Sequence, residues 1–193
     1  MMDTQMKYKL TDVLTREEID ECKAVALKRV DEHMGDAKKG VRGSLNSNGG
    51  PARLDARPRS LRLKQQLMGT LGECIASKFS KCKWTRESGQ YKGNTNPDLG
   101  PMYRGKRVIC EVRTRGEDTC MYRPQHDRRR PDVLFISITN MPFGPFRIGH
   151  AFFRDLTPLV DAHPEWKRCA NDPYPFYAIP FEHFSEDFSE FGV

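Results

Sequence analysis

Two carboxylates and a guanidinium offer the first chemistry in this chain. Glu111 and Arg113 stand in the run Arg107-Val108-Ile109-Cys110-Glu111-Val112-Arg113, and Asp98 follows Pro97 upstream of it. In a strand, residues i and i+2 share a face roughly 7 Å apart, so Glu111 and Arg113 point the same way. Tyr103-Arg104-Gly105-Lys106 reads as a hairpin turn, which folds Asp98 back toward the neighbourhood of Glu111. Converging carboxylates repel each other unless a cation lies between them. Mg2+ suits that place, because it is a hard ion that takes one or two carboxylates and keeps several waters. Such an ion can hold a phosphodiester, activate water and stabilise a leaving oxygen. By themselves, Glu111 and Arg113 also fit an ordinary salt-bridged pair on an exposed sheet face.

The elements that must hold these residues are legible in outline. Thr15-Arg16-Glu17-Glu18 is a capping box, and Ile19, Cys22, Ala26, Val30 and Met34 follow at helical spacing, with Gly35 as the expected stop. A second helix is expected from about Ser60 to Ser80, with Met68, Leu71, Ile75 and Phe79 as its apolar stripe. Gly69, Thr70, Ala76 and Ser77 form a small-residue face from which Glu73 projects, either into a cleft or into solvent. Residues 107 to 114 read as a single strand. Residues 131 to 139 are nearly continuous β-branched and aromatic sequence, the pattern of a strand covered on both faces. A further edge strand is expected over 146 to 153. After it comes a short helical turn interrupted by Pro158 and Pro164, then a tail rich in proline and aromatics. The expected fold is α/β, a mixed central β-sheet flanked by helices. Three segments are expected: 1–57, a helix and a basic flexible loop; 58–156, the α/β core; and 157–193, a C-terminal extension packing on the core.

Composition narrows the function class. The chain has 193 residues, 37% hydrophobic and 30% charged, enough for one domain with a real core. No run approaches the ~18 apolar residues of a membrane span, and the N-terminus lacks a signal-peptide core. A cytoplasmic protein without membrane contact is therefore expected. The six cysteines show no C-x-x-C spacing and read as reduced. The net charge of +6 is unevenly spread, with residues 155–193 acidic and 38–64 strongly basic. Arg128, Arg129 and Arg130 add a second basic cluster. Such a field suits a polyanion, although a solvated basic face that aids solubility has the same composition.

Taken in order, Glu73 in Met68-Gly-Thr-Leu-Gly-Glu73, Pro97-Asp98, Glu111-Val112-Arg113 and the apolar strand 132–138 resemble the PD-(D/E)XK nuclease superfamily. The resemblance covers about residues 60 to 153 and implies a restriction endonuclease-like core. It would suit a phage or mobile-element origin. It implies a Mg2+-dependent deoxyribonuclease, with Mn2+ able to substitute, in which Asp98, Glu111 and the Val112 carbonyl ligate the ion. Glu73, Asp98, Glu111 and Arg113 would form the catalytic set. Arg113 stands where the family usually has lysine. It keeps the positive charge and could clamp a phosphate, but it cannot serve as a base. DNA is the expected partner, gripped by Arg53, Arg57, Arg59, Arg62, Arg115, Arg128, Arg129 and Arg130, and a homodimer is compatible with the reading. The alternative is a catalytically inactive nuclease-fold module that binds nucleic acid or a protein.

Overall fold

The computed structural model describes residues 8–38, 58–84, 98–141, 144–168 and 176–192, with the side chains of 32–38 outside that description. After a short helix α1 (Leu10–Val13), helix α2 (Arg16–Lys38) begins at the expected capping box. Thr15 N–H donates to Glu18 Oε2 at 2.8 Å, and Glu18 N–H returns to Thr15 Oγ1 at 3.3 Å. Cys22, Ala26 and Val30 are buried. The helix runs through Gly35 to Lys38 instead of stopping there. An internal glycine costs only about 1 kcal/mol, which the continuing hydrogen-bond ladder absorbs.

Helix α3 (Arg59–Phe79) packs on α2 and on the central sheet, and its small-residue face is the reason for the close approach. Thr70, Gly72, Ala76 and Ser77 are buried together with Leu71 and Ile75. The two buried hydroxyls are satisfied within the helix, Thr70 Oγ1 on Gln66 O and Ser77 Oγ on Cys74 O, both at 2.7 Å. A Cβ added at Gly72 would sit 2.1 Å from Thr114 Cγ2.

The hairpin forms as its turn residues require. Strands β1 (Met102–Tyr103) and β2 (Lys106–Arg107) pair antiparallel across Arg104 (φ 48°) and Gly105 (φ 72°). Positive φ at both central positions marks a turn whose twist matches the flanking strands. In the same register, Leu99 and Cys110 exchange hydrogen bonds. Between these pairs, Val108 N–H donates to Pro101 O at 3.0 Å, but proline has no N–H to return. The ladder breaks there. The single strand expected over 107–114 therefore divides into β2 and β3 (Cys110–Thr114).

The central sheet has the order β3-β5-β6, with β5 (Leu134–Thr139) parallel to β3 and antiparallel to β6 (Arg147–Phe152). All six residues of β5 are buried. Leu134, Ile136 and Ile138 face a core shared with Leu71, Ile75 and Ile148. Phe135 faces a second core with Phe153, Leu156 and Val160, which come from helix α5 (Phe153–Ala162). This helix carries Pro158 internally without breaking, its buried stripe holding it against the sheet. The second core is closed by a small antiparallel sheet of order β4-β8-β7, built from β4 (Thr119–Tyr122), β7 (Lys167–Arg168) and β8 (Phe176–Pro180).

The fold is mixed α/β, as the pattern of elements predicts. Helices α2 and α3 cover one face of the central sheet, while α5 and the small sheet cover the other. Residues assigned from sequence to three segments share these two cores: Leu14 and Cys22 enter the first, and Ile179, Phe181 and Phe184 enter the second. Among the described residues, no helix is long and apolar enough to cross a membrane.

Candidate functional site

Strand β3 is bonded to β5 on one side, and on its other edge the segment after Pro97 reaches it through Leu99 and Asp98. Bonding to β5 leaves the Val112 N–H and, by the alternation of a strand, its C=O directed at that edge. Asp98 occupies it, with Oδ2 accepting from Val112 N–H at 2.7 Å. The Leu99–Cys110 register, carried one residue further, sets Asp98 opposite Glu111. Burial pushes the Asp98 carboxyl up to about 6, helped by the fields of Glu73 and Glu111 and opposed by the Val112 N–H and by Arg29. Glu73 and Glu111 therefore both act on Asp98.

They do not, however, form a ready-made cage. Among the described residues, no three His, Cys, Asp or Glu side chains stand close enough to hold an ion. Each glutamate is instead held by arginine. Glu73 takes a two-pronged pair from Arg29, at 2.8 and 2.9 Å, and the Trp84 indole N–H at 3.4 Å. Glu111 Oε1 accepts from Arg113 Nε at 2.8 Å and Nη2 at 2.5 Å, while Oε2 accepts from Arg130 Nη1 at 2.6 Å. Burial opposes ionisation of Glu111, but Arg113, then Arg130 and His126, hold its carboxyl below the usual range.

Arg113 is placed differently from the phosphate clamp that the sequence suggests. Its Nη1 and Nη2 each donate at 2.7 Å to Asp127, which is fully buried at the end of α4 (Pro124–Asp127), and Nη1 also donates to Met121 O at 2.7 Å. The guanidinium lies over the rings of Phe135 and Phe153. Its side chain is 10% exposed. Arg113 ties β3 to β4 and α4 and fixes one oxygen of Glu111. A phosphate could recruit it only by stranding the buried Asp127 charge, which costs several kcal/mol.

The basic residues divide into groups. Arg53 and Arg57 lie outside the described residues. Arg59, exposed, pairs with Asp31 at 2.7 Å, and Arg62 is half-buried on α3. Arg115 pairs with Glu117 at 2.9 Å and stacks on Phe176. Arg128 pairs with Asp161, and Arg129 is exposed. A groove of about 570 Å³ lies beyond the C-terminal end of β3, lined by Lys64, Gln65, Met68, Thr114, Arg115 and Glu117 among others. Of the lysines considered as substitutes for Arg113, Lys106 is exposed on β2 and Lys92 lies outside the described residues. His150 is buried among Tyr103, Phe188 and Phe191, with burial holding its pKa down. It is a packing residue.

Arg29 and Asp127 are the site residues that sequence reasoning missed. Arg29 adjoins Val30 on the buried side of α2, and Asp127 is an isolated acid in front of three arginines. Those are faint signals, because the partners of both lie far away in the chain.

Comparison of the chain with protein-family models, with curated proteins and with solved structures gave no match. The class defined by fold and site is thus a mixed α/β protein with a largely buried carboxylate, Asp98, at the outer edge of the central sheet's strand β3.

Proposed function

We propose that the protein is a divalent-metal-dependent nuclease acting on DNA in the cytoplasm. One observation carries the reading: Asp98 is held by Val112 N–H at the outer edge of β3, opposite Glu111, and burial first, then the fields of Glu73 and Glu111, pushes its carboxyl up to about 6. Negative charge gathered at a half-buried point invites a hard cation. A cation there would have to draw on the second oxygen of Asp98, the edge-facing Val112 carbonyl and Glu111 Oε2, the last of which Arg130 now occupies. A bound Mg2+ supplies Lewis acidity toward a phosphodiester.

The chain's own residues do the rest. Arg113 fixes Glu111 through Oε1 and keeps Oε2 directed away from itself. Arg29 fixes Glu73 through both of its oxygens. Exposed Arg129, with the groove carrying Lys64 and Arg115, supplies positive potential along which a phosphate backbone can run.

A second reading, an inactive nuclease-fold module that binds nucleic acid, is favoured by the pairing of both glutamates with arginine. One assay separates the two. Circular and linear DNA are incubated with Mg2+ or Mn2+ and either wild type or Asp98→Ala. Cleavage by wild type alone is the expected result. Binding without cleavage at any metal concentration establishes the second reading instead.

A further inference from the structure

The groove beyond β3 mixes apolar and cationic walls. Leu61, Lys64 and Met68 stand at i, i+3 and i+7 on α3, so one face of that helix lines it. Leu61 is 41% exposed, a large apolar side chain left in solvent, and Met68 and Met121 line the same groove half-buried. Its second cation, Arg115, is held in place before any ligand arrives. The guanidinium lies over the Phe176 ring, 5.2 Å from its centroid, and one of its nitrogens meets Glu117 at 2.9 Å. Glu117 is 71% exposed, so that pair is weak and screened by salt. The fork keeps donors for a second anion. Lys64 and Arg115 against Glu117 leave the groove positive.

We infer that this groove takes an unpaired strand of DNA, with base faces against Leu61, Met68 and Met121 and a backbone phosphate on Arg115. The inference rests on the nuclease reading and names its substrate as single-stranded. A duplex turns its phosphates outward and keeps its base faces stacked on one another, so three apolar side chains gain nothing from its backbone. An unpaired strand presents both surfaces at once, base faces to apolar walls and phosphates to cations. The groove also lies along the path to Asp98. Thr114, which lines it, is two residues beyond Val112, about 7 Å along the strand. By the alternation of β3 both residues turn their backbone groups to the edge that Asp98 occupies. A strand seated in the groove thus passes on to Asp98 along a single edge.

The test is fluorescence anisotropy of the full chain in metal-free buffer with three labelled DNAs of equal length: an oligothymidylate, an abasic strand of the same charge, and a blunt duplex. Wild type is expected to bind the oligothymidylate roughly tenfold more tightly than either of the others, the scale of one base contact. Leu61→Ala, at an exposed position, and Met68→Ala should each narrow that preference, and Arg115→Gln should weaken binding of the oligothymidylate. The comparison of strands on wild type does not depend on any variant folding. Equal affinity for the oligothymidylate and the abasic strand, or for the oligothymidylate and the duplex, with Asp98-dependent cleavage of DNA intact, overturns the groove's role and leaves the nuclease standing. Absence of binding to all three DNAs, together with absence of cleavage, overturns both.

Discussion

Asp98 stores an electrostatic conflict that shows up in stability. Its folded carboxyl, near 6, lies above the ordinary value of 3.8. Between these values the folded chain holds a proton that the unfolded chain has released. Stability attributable to this group is thus greatest at low pH, falls as pH rises through about 4 to 6, and stays low above that. The shift corresponds to about 3 kcal/mol. Asp98→Asn keeps an acceptor for Val112 N–H and removes the charge. In metal-free buffer the variant should melt higher than wild type at pH 8, with the difference shrinking toward pH 4. Equal melting temperatures at pH 8 would show that the charge is not under strain. Arg113 illustrates the opposite case. Burial disfavours its charge, but Asp127 and Glu111 outweigh that and hold the guanidinium firmly protonated. Its charge belongs to the interior, although the tripeptide Glu-Val-Arg alone gives no sign of this.

The contact between α3 and β3 sets how closely the helix that carries Glu73 approaches the sheet edge at Asp98. Gly72 permits it, because a methyl there meets Thr114 Cγ2. Gly72→Ala gains up to ~1 kcal/mol of helix propensity but overpacks the interface by roughly 1–3 kcal/mol. The net expectation is a loss of stability in urea denaturation. Adding Thr114→Ser, which removes that methyl, should recover most of it. An alanine variant as stable as wild type, with no coupling to Thr114→Ser, would mean the helix has room to lift. The hairpin shows how much a turn can specify: Arg104-Gly105 sets the register, and the register sets Asp98 opposite Glu111. Pro101 then divides the strand by withholding one hydrogen bond.

The C-terminal segment is part of the fold and not an appendage. Strand β8 is the middle strand of the small sheet, Phe181 and Phe184 close the second core, and Phe191 enters the first. Each buried phenylalanine or isoleucine contributes roughly 1.5–3 kcal/mol, and the three phenylalanines together with Ile179 match the roughly 5–15 kcal/mol net stability of a domain. A chain ending at residue 175 should therefore show no cooperative thermal transition by circular dichroism. A sharp transition at the wild-type temperature would separate the tail from the cores.

The sequence by itself determined what depends on near neighbours: the capped first helix, the second helix with its small face, the hairpin turn, and the buried strand 134–139. It also set Asp98 opposite Glu111 in register, because a two-residue turn fixes pairing through a count along the chain. Only the tertiary structure decided the partners of the charges. Arg29 reaches Glu73, Asp127 reaches Arg113, and Arg130 reaches Glu111 across chain separations that no local pattern encodes. A buried charge takes whichever opposite charge the packing brings within about 3 Å, and that choice is made by the two cores as they close.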